Sequence, residues 1–313
     1  MSSVQGEALK KRKLGQLWNR MCLNKWVYIM FIPALVYFAV FSYSCYYGIS
    51  IAFKDYSPFR GIIESQWVGL QHFKNILNDR NLPRILKNTL KISILRIIFQ
   101  FPVPIAFALM LNEIKSQRFK KVVQTICCFP NFISWVVYAG IVYTFTSNSG
   151  VINTILTNLG LEPINMVTNP DAFYPLLIIT DCLKGFGWAS IIYMASFSSM
   201  DSQLYEAAAL DGAGRWKQTW HVTLPALRPT ICLNLVMSVS GILNAGFDQV
   251  FLFLRPALLQ NGEIIDTYVW RMGLVEGKYE YSTAVGLLKS VVGIILIVTA
   301  NKISRKMGEK AIW

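Results

Sequence analysis

The chain has 313 residues, of which 54% are hydrophobic and only 15% are charged. Soluble proteins carry about 25% charged residues, so the composition excludes an ordinary soluble fold as well as a disordered, collagen-like or coiled-coil chain. The net charge of +13 is typical of a membrane protein whose cytoplasmic loops are basic and lie against anionic lipid.

The first 25 residues combine a basic cluster with an apolar stripe. Leu14, Leu17, Trp18 and Met21 recur at positions i, i+3, i+4 and i+7, which places them on one face of a helix. A helix of this kind lies on the inner leaflet with its basic residues against lipid headgroups. The pattern therefore predicts an interfacial helix in contact with membrane lipid, with a disordered basic tail as the alternative.

Six apolar stretches are long enough to cross a membrane, because a span needs about 20 mostly apolar residues. With both termini in the cytoplasm, the cytoplasmic segments hold 17 Lys and Arg residues and the outer loops hold 9, which favours that orientation. The predicted spans are 26–53, 88–112, 122–147, 173–200, 229–254 and 283–301. The predicted regions are a basic cytoplasmic segment 1–25, a first span with its extracellular loop 26–87, a core of five spans 88–304 and a cytoplasmic tail 305–313.

The loop 201–229 between the fourth and fifth spans is longer than a simple connection needs and has sequence typical of secondary structure. Residues 206–210 and 215–221 each favour a short helix, and Gly212 and Gly214 permit a sharp turn between them. Pro225 is predicted to end the second helix. Two short helices around a glycine elbow indicate a docking element on the cytoplasmic face.

The residues of this loop carry a family resemblance. The run Glu206-Ala207-Ala208, then Gly212, then Val222-x-Leu224-Pro225 resembles the EAA loop of bacterial ABC importer permeases, with Val222 in place of isoleucine. Other stretches resemble the maltose-transporter type, especially its lipoprotein and polysaccharide branch. The resemblance implies an all-α membrane protein with six transmembrane helices, the ABC type I importer permease fold and both termini cytoplasmic, located in the bacterial cytoplasmic membrane.

The resemblance also implies partners and residue roles. The loop is expected to couple the chain to a separate ABC ATPase dimer, which binds ATP and Mg; the chain itself is expected to be no enzyme and to bind no cofactor, metal or nucleic acid. The other expected partners are a second homologous permease that completes a heterodimer, an extracellular solute-binding lipoprotein and an oligosaccharide substrate. The coupling residues implied are Glu206, Ala207, Ala208, Asp211, Gly212, Leu224 and Pro225.

Polar residues inside the spans are candidates for the transport path, because an ionisable group in the membrane is costly unless it faces a cavity or a partner. Asp181 and Lys184 stand three residues apart on one face of the fourth span, and Trp188 follows one turn later. The alternative is a structural ion pair for these two and, for the other polar residues, hydrogen bonds to neighbouring helices. The remaining candidates are Asn131, Ser134, Ser238, Asn244, Asp248 and Gln249.

Three further cations lie inside the predicted spans, Lys91, Arg96 and Lys289, of which Lys91 is expected to snorkel outward. Arg96, Lys184 and Lys289 outnumber the intramembrane carboxylates, which favours an anionic or large polar glycan. A permease for another polar solute, such as glycerol-phosphate or an acidic glycan, is therefore the first alternative. A secondary transporter is the second, although the EAA loop argues against it, and a membrane glycosyltransferase would need an acidic catalytic cluster that the sequence lacks.

Overall fold

The computed structural model describes residues 23–164, 166, 168–197 and 199–306. The predicted interfacial helix of residues 1–25 lies almost entirely outside them, as does the end of the tail, 307–313. The chain divides into two compact units, one up to Leu70 and one from Gln71 onward.

The first unit holds one long apolar helical segment and a small hairpin. Helix α1 (Lys25–Tyr37) continues as a π-helical stretch (Phe38–Tyr43) and a 3-10 stretch (Ser44–Phe53). Strand β1 (Lys54–Asp55) then pairs antiparallel with β2 (Gln66–Trp67), with the short helix α2 (Gly61–Glu64) between them. The rings of Phe53 and Trp67 stack with centroids 5.5 Å apart. The sequence predicted an all-α fold; among the described residues, this pair of two-residue strands is the one departure from it.

The regular secondary structure among the described residues of the second unit is all helical. Its first half contains α3 (Gln71–Leu77), α4 (Leu82–Gln100), α5 (Pro102–Asn112), α6 (Gln117–Cys128), a 3-10 turn (Phe129–Phe132), α7 (Trp135–Thr146) and α8 (Val151–Asn158). Its second half contains α9 (Pro170–Phe197), α10 (Ser202–Leu210), α11 (Arg215–Gln218), a π-helical turn (Thr219–Thr223), α12 (Leu224–Ser240), α13 (Phe247–Phe253), a 3-10 turn (Pro256–Leu258), α14 (Leu259–Gly262), α15 (Ile265–Trp270), a π-helical turn (Arg271–Val275) and α16 (Tyr279–Lys306).

Five helices among the described residues are long and apolar enough to cross a membrane, and a bent pair supplies a sixth if it is counted as one span. The five are Lys25–Phe53, Leu82–Asn112, Pro170–Phe197, Arg215–Ser240 and Tyr279–Lys306, and the bent pair is Gln117–Phe132 with Trp135–Asn158. Each of the six overlaps a predicted span, although Arg215–Ser240 shares only residues 229–240 with the predicted span 229–254. The helix of the second span begins six residues before the predicted position 88, because the polar residues there form its first turns.

The third span is broken, whereas the sequence predicted an uninterrupted stretch from 122 to 147. Its two halves meet at an angle of 101°, and Ile133 and Ser134 between them are extended. Pro130 lacks the N–H that a continuing helix needs. Ser134 begins the second half, since its hydroxyl accepts a hydrogen bond from the Val137 N–H at 3.3 Å.

The fifth span also differs from the predicted helix 229–254. Helix α12 ends at Ser240, residues 241–246 are not helical, and α13 follows. Gly246 has a φ of +78°, which a residue with a side chain rarely adopts. At the other end, Pro225 does not stop the helix as predicted: α11, the π-helical turn and α12 run on without interruption. Pro225 follows directly after the π-helical turn, where the regular hydrogen-bond pattern of the α-helix is already interrupted, so its missing N–H is tolerated there.

The packed interior of the second unit lies where α4, α9 and α13 meet. Ile92, Leu177 and Val250 from these three helices are fully buried, and Phe173 and Phe253 extend the same cluster. A smaller cluster joins α5, α9 and α12 through Ala108, Tyr193 and Leu227. Helix α9 contributes to both clusters, so it is the central helix of this unit.

Candidate functional site: a polar cavity and the 201–229 loop

A cavity of about 700 Å³ lies between α4, α5, α9 and α12. This volume falls within the range of about 300–1,000 Å³ that is usual for small-molecule sites. Its wall is apolar for the most part and carries a limited set of groups able to bond a ligand. Those groups belong to Ser93, Arg96, Gln100, Trp188, Tyr193, Asn234, Ser238 and Asn244.

Three of the predicted path residues, Trp188, Ser238 and Asn244, line the cavity. Trp188 is 50% exposed and its ring packs edge-on against Phe132, with centroids 5.5 Å apart. The Ser238 hydroxyl donates to the Asn234 carbonyl one turn earlier at 2.9 Å. The structure thus brings together residues from the fourth and fifth spans that the sequence proposed separately.

Two further predicted residues, Asp181 and Gln249, stand behind the wall and hold Arg96. The Arg96 Nε lies 3.3 Å from Asp181 Oδ2, and its Nη2 donates to Gln249 Oε1. Gln249 Nε2 donates in turn to the Leu177 carbonyl and the Thr180 hydroxyl, both at 2.8 Å. Gln249 is therefore held in one orientation, with its oxygen toward the guanidinium.

Arg96 was recognised in the sequence as an intramembrane charge but not as part of the path. Its guanidinium lies against Gly246, so that a Cβ at this glycine would collide with it. The break between α12 and α13 and the position of Arg96 are therefore parts of one arrangement. In the sequence, the pairing of an intramembrane arginine in one span with a glycine inside another span could have pointed to the position of Arg96.

Lys184 is not paired with Asp181 as the structural alternative supposed. Its ammonium donates to three backbone carbonyls, those of Pro130 and Asn131 at 3.0 Å each and that of Ile133 at 2.6 Å. Lys289, in the sixth span, pairs with Asp266 at 2.5 Å. Each of these intramembrane cations consequently has its own fixed partner.

The last three predicted path residues lie apart from the cavity wall. Asn131 contributes its backbone carbonyl to Lys184, and Ser134 caps α7. Asp248 lies in the first turn of α13 and is exposed. An exposed carboxylate at a helix start is stabilised by the helix dipole.

The 201–229 loop has the predicted glycine elbow. Gly212 has a φ of +73°, and the Ala213 N–H donates to the Ala208 carbonyl at 2.9 Å, which closes the end of α10. The Tyr205 and Thr223 hydroxyls lie 2.9 Å apart and tie α10 to the π-helical turn. Glu206, Ala207 and Asp211 are exposed, whereas Ala208 and Leu224 are partly buried.

This loop exposes large apolar side chains among charged ones. Leu210 is 90% exposed and Trp216 is 78% exposed, and Trp216 stacks on Trp220 with centroids 6.3 Å apart. Exposed apolar residues are ordinary where lipid surrounds a helix, but this loop also carries acidic and basic residues, which favour water over lipid. An apolar surface of this kind in water indicates a protein contact.

A polar network joins the segments at the end of the bundle opposite the 201–229 loop. Glu263 is nearly fully buried and binds Arg271 at 2.7 Å and Arg84 at 3.6 Å. The hydrogen bond to Glu263 raises the pKa of Arg271 above its ordinary value. The Arg271 guanidinium also reaches Glu276 at 2.5 Å, and the hydrogen bond from Lys278 lowers the pKa of Glu276.

Asp79 is the second acceptor of this network. It accepts hydrogen bonds from Tyr268 and from the Tyr281 hydroxyl at 2.9 Å. Burial raises the pKa of Asp79, but the hydrogen bonds from Tyr268, Asn81 and Tyr281 outweigh burial and lower it. Asp79 thus stabilises the fold above the ordinary pKa of an aspartate, and this contribution is lost as the pH falls through the lowered value.

Replacing Glu263 with glutamine is expected to destabilise the protein by about 1–3 kcal/mol, because the amide leaves Arg271 and Arg84 without their buried anion. The measurement is thermal unfolding of the purified protein. Glu276→Gln is the matched control, and it should change stability by less than about 1 kcal/mol because Glu276 is more exposed. Equal effects of the two variants would contradict the central place of Glu263.

Comparison with known proteins covers nearly the whole chain. Residues 100–309 match the family described as binding-protein-dependent transport system inner membrane component. The polygalacturonan/rhamnogalacturonan transport system permease protein YteP of Bacillus subtilis (strain 168) is 42% identical over 312 residues, which cover 99% of this chain and 97% of that protein. The protein LplB of the same organism is 42% identical over 291 residues, covering 93% and 92%.

A solved structure gives the same result. The crystal structure of a bacterial alginate ABC transporter, in complex with alginate pentasaccharide-bound periplasmic protein, has a chain 36% identical to this one with a TM-score of 0.85, covering 95% of this chain and 99% of that chain. These similarities confirm the predicted resemblance to ABC importer permeases and the helical type I permease fold. The chain belongs to the family of binding-protein-dependent transport system inner membrane components, the multi-pass permeases of ABC importers.

Proposed function

We propose that this chain forms one half of the translocation path of an ABC importer and that the imported solute is an oligosaccharide bearing carboxylate groups. The observation that carries the proposal is the place of Arg96 in the cavity wall. Arg96 is the one charged side chain among the described residues that line the cavity. A cation in the membrane interior is costly, and an anionic solute offers it a favourable interaction.

The Arg96 guanidinium retains hydrogen-bonding capacity for such a solute. Its Nε is close to Asp181 Oδ2, but neither atom has a partner in hydrogen-bond geometry. Its Nη2 is bonded to the neutral amide of Gln249. A guanidinium has five N–H donors in a planar fork that matches a carboxylate, and the contacts with Asp181 and Gln249 involve only Nε and Nη2, so the fork has donors left for a uronate carboxylate.

The rest of the wall suits a sugar. The amides of Gln100, Asn234 and Asn244 and the hydroxyl of Ser238 are groups that bond sugar hydroxyls, and the ring of Trp188 offers a face for stacking. The relatives support the same class of solute. YteP is named for polygalacturonan and rhamnogalacturonan, and one similar solved transporter imports the acidic polysaccharide alginate.

The energy for import comes from a separate ATPase dimer that binds ATP and Mg, and the 201–229 loop docks on it. The exposed Leu210 and Trp216 supply the apolar contact, and the elbow at Gly212 fixes the two short helices of the loop. In this arrangement Glu206, Ala207, Ala208 and Asp211 face the ATPase. Leu224 and Pro225 pass its movement into α12.

A second, homologous permease completes the path, with both termini of this chain in the cytoplasm. Helix α1 is apolar and none of its residues is buried among the described residues, so it offers a surface to a second permease. A solute-binding lipoprotein delivers the oligosaccharide on the outer side. The excess of basic residues in the cytoplasmic segments supports the orientation.

Arg96→Met tests the choice of solute. The full importer is reconstituted, and ATPase stimulation is measured with a short oligogalacturonate and with its methyl ester, which has the same length but no charge. We expect Arg96→Met to reduce stimulation by the acid about tenfold or more relative to the ester, the loss of one charge-assisted contact.

Lys91→Met is the matched control, because Lys91 is an exposed cation of the same helix. Its ammonium lies over the Tyr174 ring. The control variant should leave the ratio of acid to ester unchanged. An Arg96→Met importer that loses stimulation by acid and ester equally would overturn the assignment of an acidic solute.

A further inference from the structure

The break in the third span leaves backbone carbonyls that need partners. The last carbonyls of any helix lack intrahelical donors, and in the membrane interior no water replaces them. Pro130, Asn131 and Ile133 lie at this break, where the 3-10 turn Phe129–Phe132 ends and the chain becomes extended. The Pro130 carbonyl accepts one local hydrogen bond, from the Ile133 N–H at 3.3 Å, and the carbonyls of Asn131 and Ile133 require a donor from elsewhere in the chain.

Lys184 of α9 donates to all three of these carbonyls. Its ammonium lies 3.0, 3.0 and 2.6 Å from the carbonyl oxygens of Pro130, Asn131 and Ile133. An ammonium has three N–H groups, so each is used by one carbonyl. Lys184 is only 6% exposed, and among the described ion pairs Asp181 is joined to Arg96 rather than to Lys184.

Two aromatic rings complete the surroundings of the ammonium. The ring centroids of Trp135 and Tyr138 lie 5.3 and 5.8 Å from Lys184 Nζ, within the range of cation–π attraction. Backbone carbonyls at helix breaks are also the groups with which cation-coupled transporters bind Na⁺. The chemistry of this position is thus that of a monovalent cation site.

We infer that Lys184 is a covalently tethered cation, which occupies a site that would otherwise take a small monovalent cation. Removing its side chain leaves three convergent carbonyl oxygens and two ring faces, which bind ammonium, methylammonium, K⁺ or Na⁺. The natural chain is consequently independent of these cations, whereas a variant without the lysine depends on them. This holds for any imported solute.

The tether has a consequence for the cavity. The broken span is held on α9 at two further points: Gly187 lies so close to the Cys127 backbone that a Cβ would collide with it, and Trp188 packs on Phe132. Trp188 also lines the cavity. Lys184 is therefore a positioning residue, which keeps the elbow of the third span and the cavity face of α9 together.

The test uses the full importer carrying Lys184→Ala in a buffer whose only monovalent cation is N-methylglucamine. We expect solute-stimulated ATPase activity to fall about tenfold or more, and to recover saturably when methylammonium, ammonium, K⁺ or Na⁺ is added. The melting temperature of the variant should rise with the same cation. The unaltered importer, and the matched control Lys91→Ala, should respond to none of them.

Lys184→Gln keeps the inference testable if the alanine variant does not assemble. Its amide fills the site and offers two donors, so we expect an assembled importer of reduced activity that no cation restores. Full activity of Lys184→Gln would show that a cation is not required there and would overturn the inference. So would an assembled Lys184→Ala importer that stays active without small cations, or one that none of them restores in activity or melting temperature.

Discussion

Leu210→Glu is expected to abolish the coupling of solute delivery to ATP hydrolysis while leaving the permease folded. Leu210 is 90% exposed, so the substitution disturbs no packing within the chain, and exposed substitutions usually change stability by less than about 0.5 kcal/mol. In the proposed complex the same side chain enters an apolar contact with the ATPase. Burying a carboxylate there costs at least about 2 kcal/mol, the size of an interface hot spot, which is about 30-fold in affinity.

The measurement compares ATPase stimulation by the loaded binding protein with recovery of the ATPase on the purified permease. Both should fall for Leu210→Glu. Gln117→Glu is the matched control, because it adds the same charge at the start of α6, on the side of the membrane predicted to be cytoplasmic. A Leu210→Glu importer with normal stimulation would refute the proposed docking of the loop.

The 201–229 loop shows which local features could be predicted from the sequence and which could not. Gly212 and Gly214 predicted a sharp turn, and the positive φ of Gly212 confirms it, whereas Gly214 has an ordinary φ of −66°. The same sequence suggested that Pro225 ends the helix, which is wrong. A proline removes a hydrogen bond from a helix, but the π-helical turn before α12 has already changed the hydrogen-bond pattern there. Such a turn is not recognisable from residue types alone.

The charges inside the spans were recognisable from the sequence, but their partners were not. Asp181 and Lys184 share a helix face, which suggested that they act together. The structure instead gives Asp181 a partner on another helix, Arg96, and gives Lys184 three backbone carbonyls. Every residue has a backbone carbonyl, so a pattern of side chains cannot show which carbonyls lack a hydrogen-bond donor. That becomes clear only once the break in the third span is known.

Gly246→Ala is expected to have the largest effect among the glycine substitutions of the cavity region. Gly246 has a φ of +78°, and an L-residue there costs about 1–2 kcal/mol. Its new methyl group would also collide with the Arg96 guanidinium, which must then move away from Asp181 and Gln249. Separating a buried pair of charges costs about 3–5 kcal/mol, so both thermal stability and transport should fall sharply.

A double variant separates the two causes. With Arg96 replaced by alanine there is no guanidinium to displace, so adding Gly246→Ala should then cost only the backbone strain. The effect of Gly246→Ala should therefore be smaller by about 3–5 kcal/mol in the Arg96→Ala background than in the natural chain. Gly140→Ala serves as the control, because Gly140 lies in helix α7 with nothing within 4 Å of a new Cβ, and it should leave melting temperature and transport unchanged. If Gly246→Ala costs the same in both backgrounds, the glycine is required for its backbone conformation alone and not for the position of Arg96.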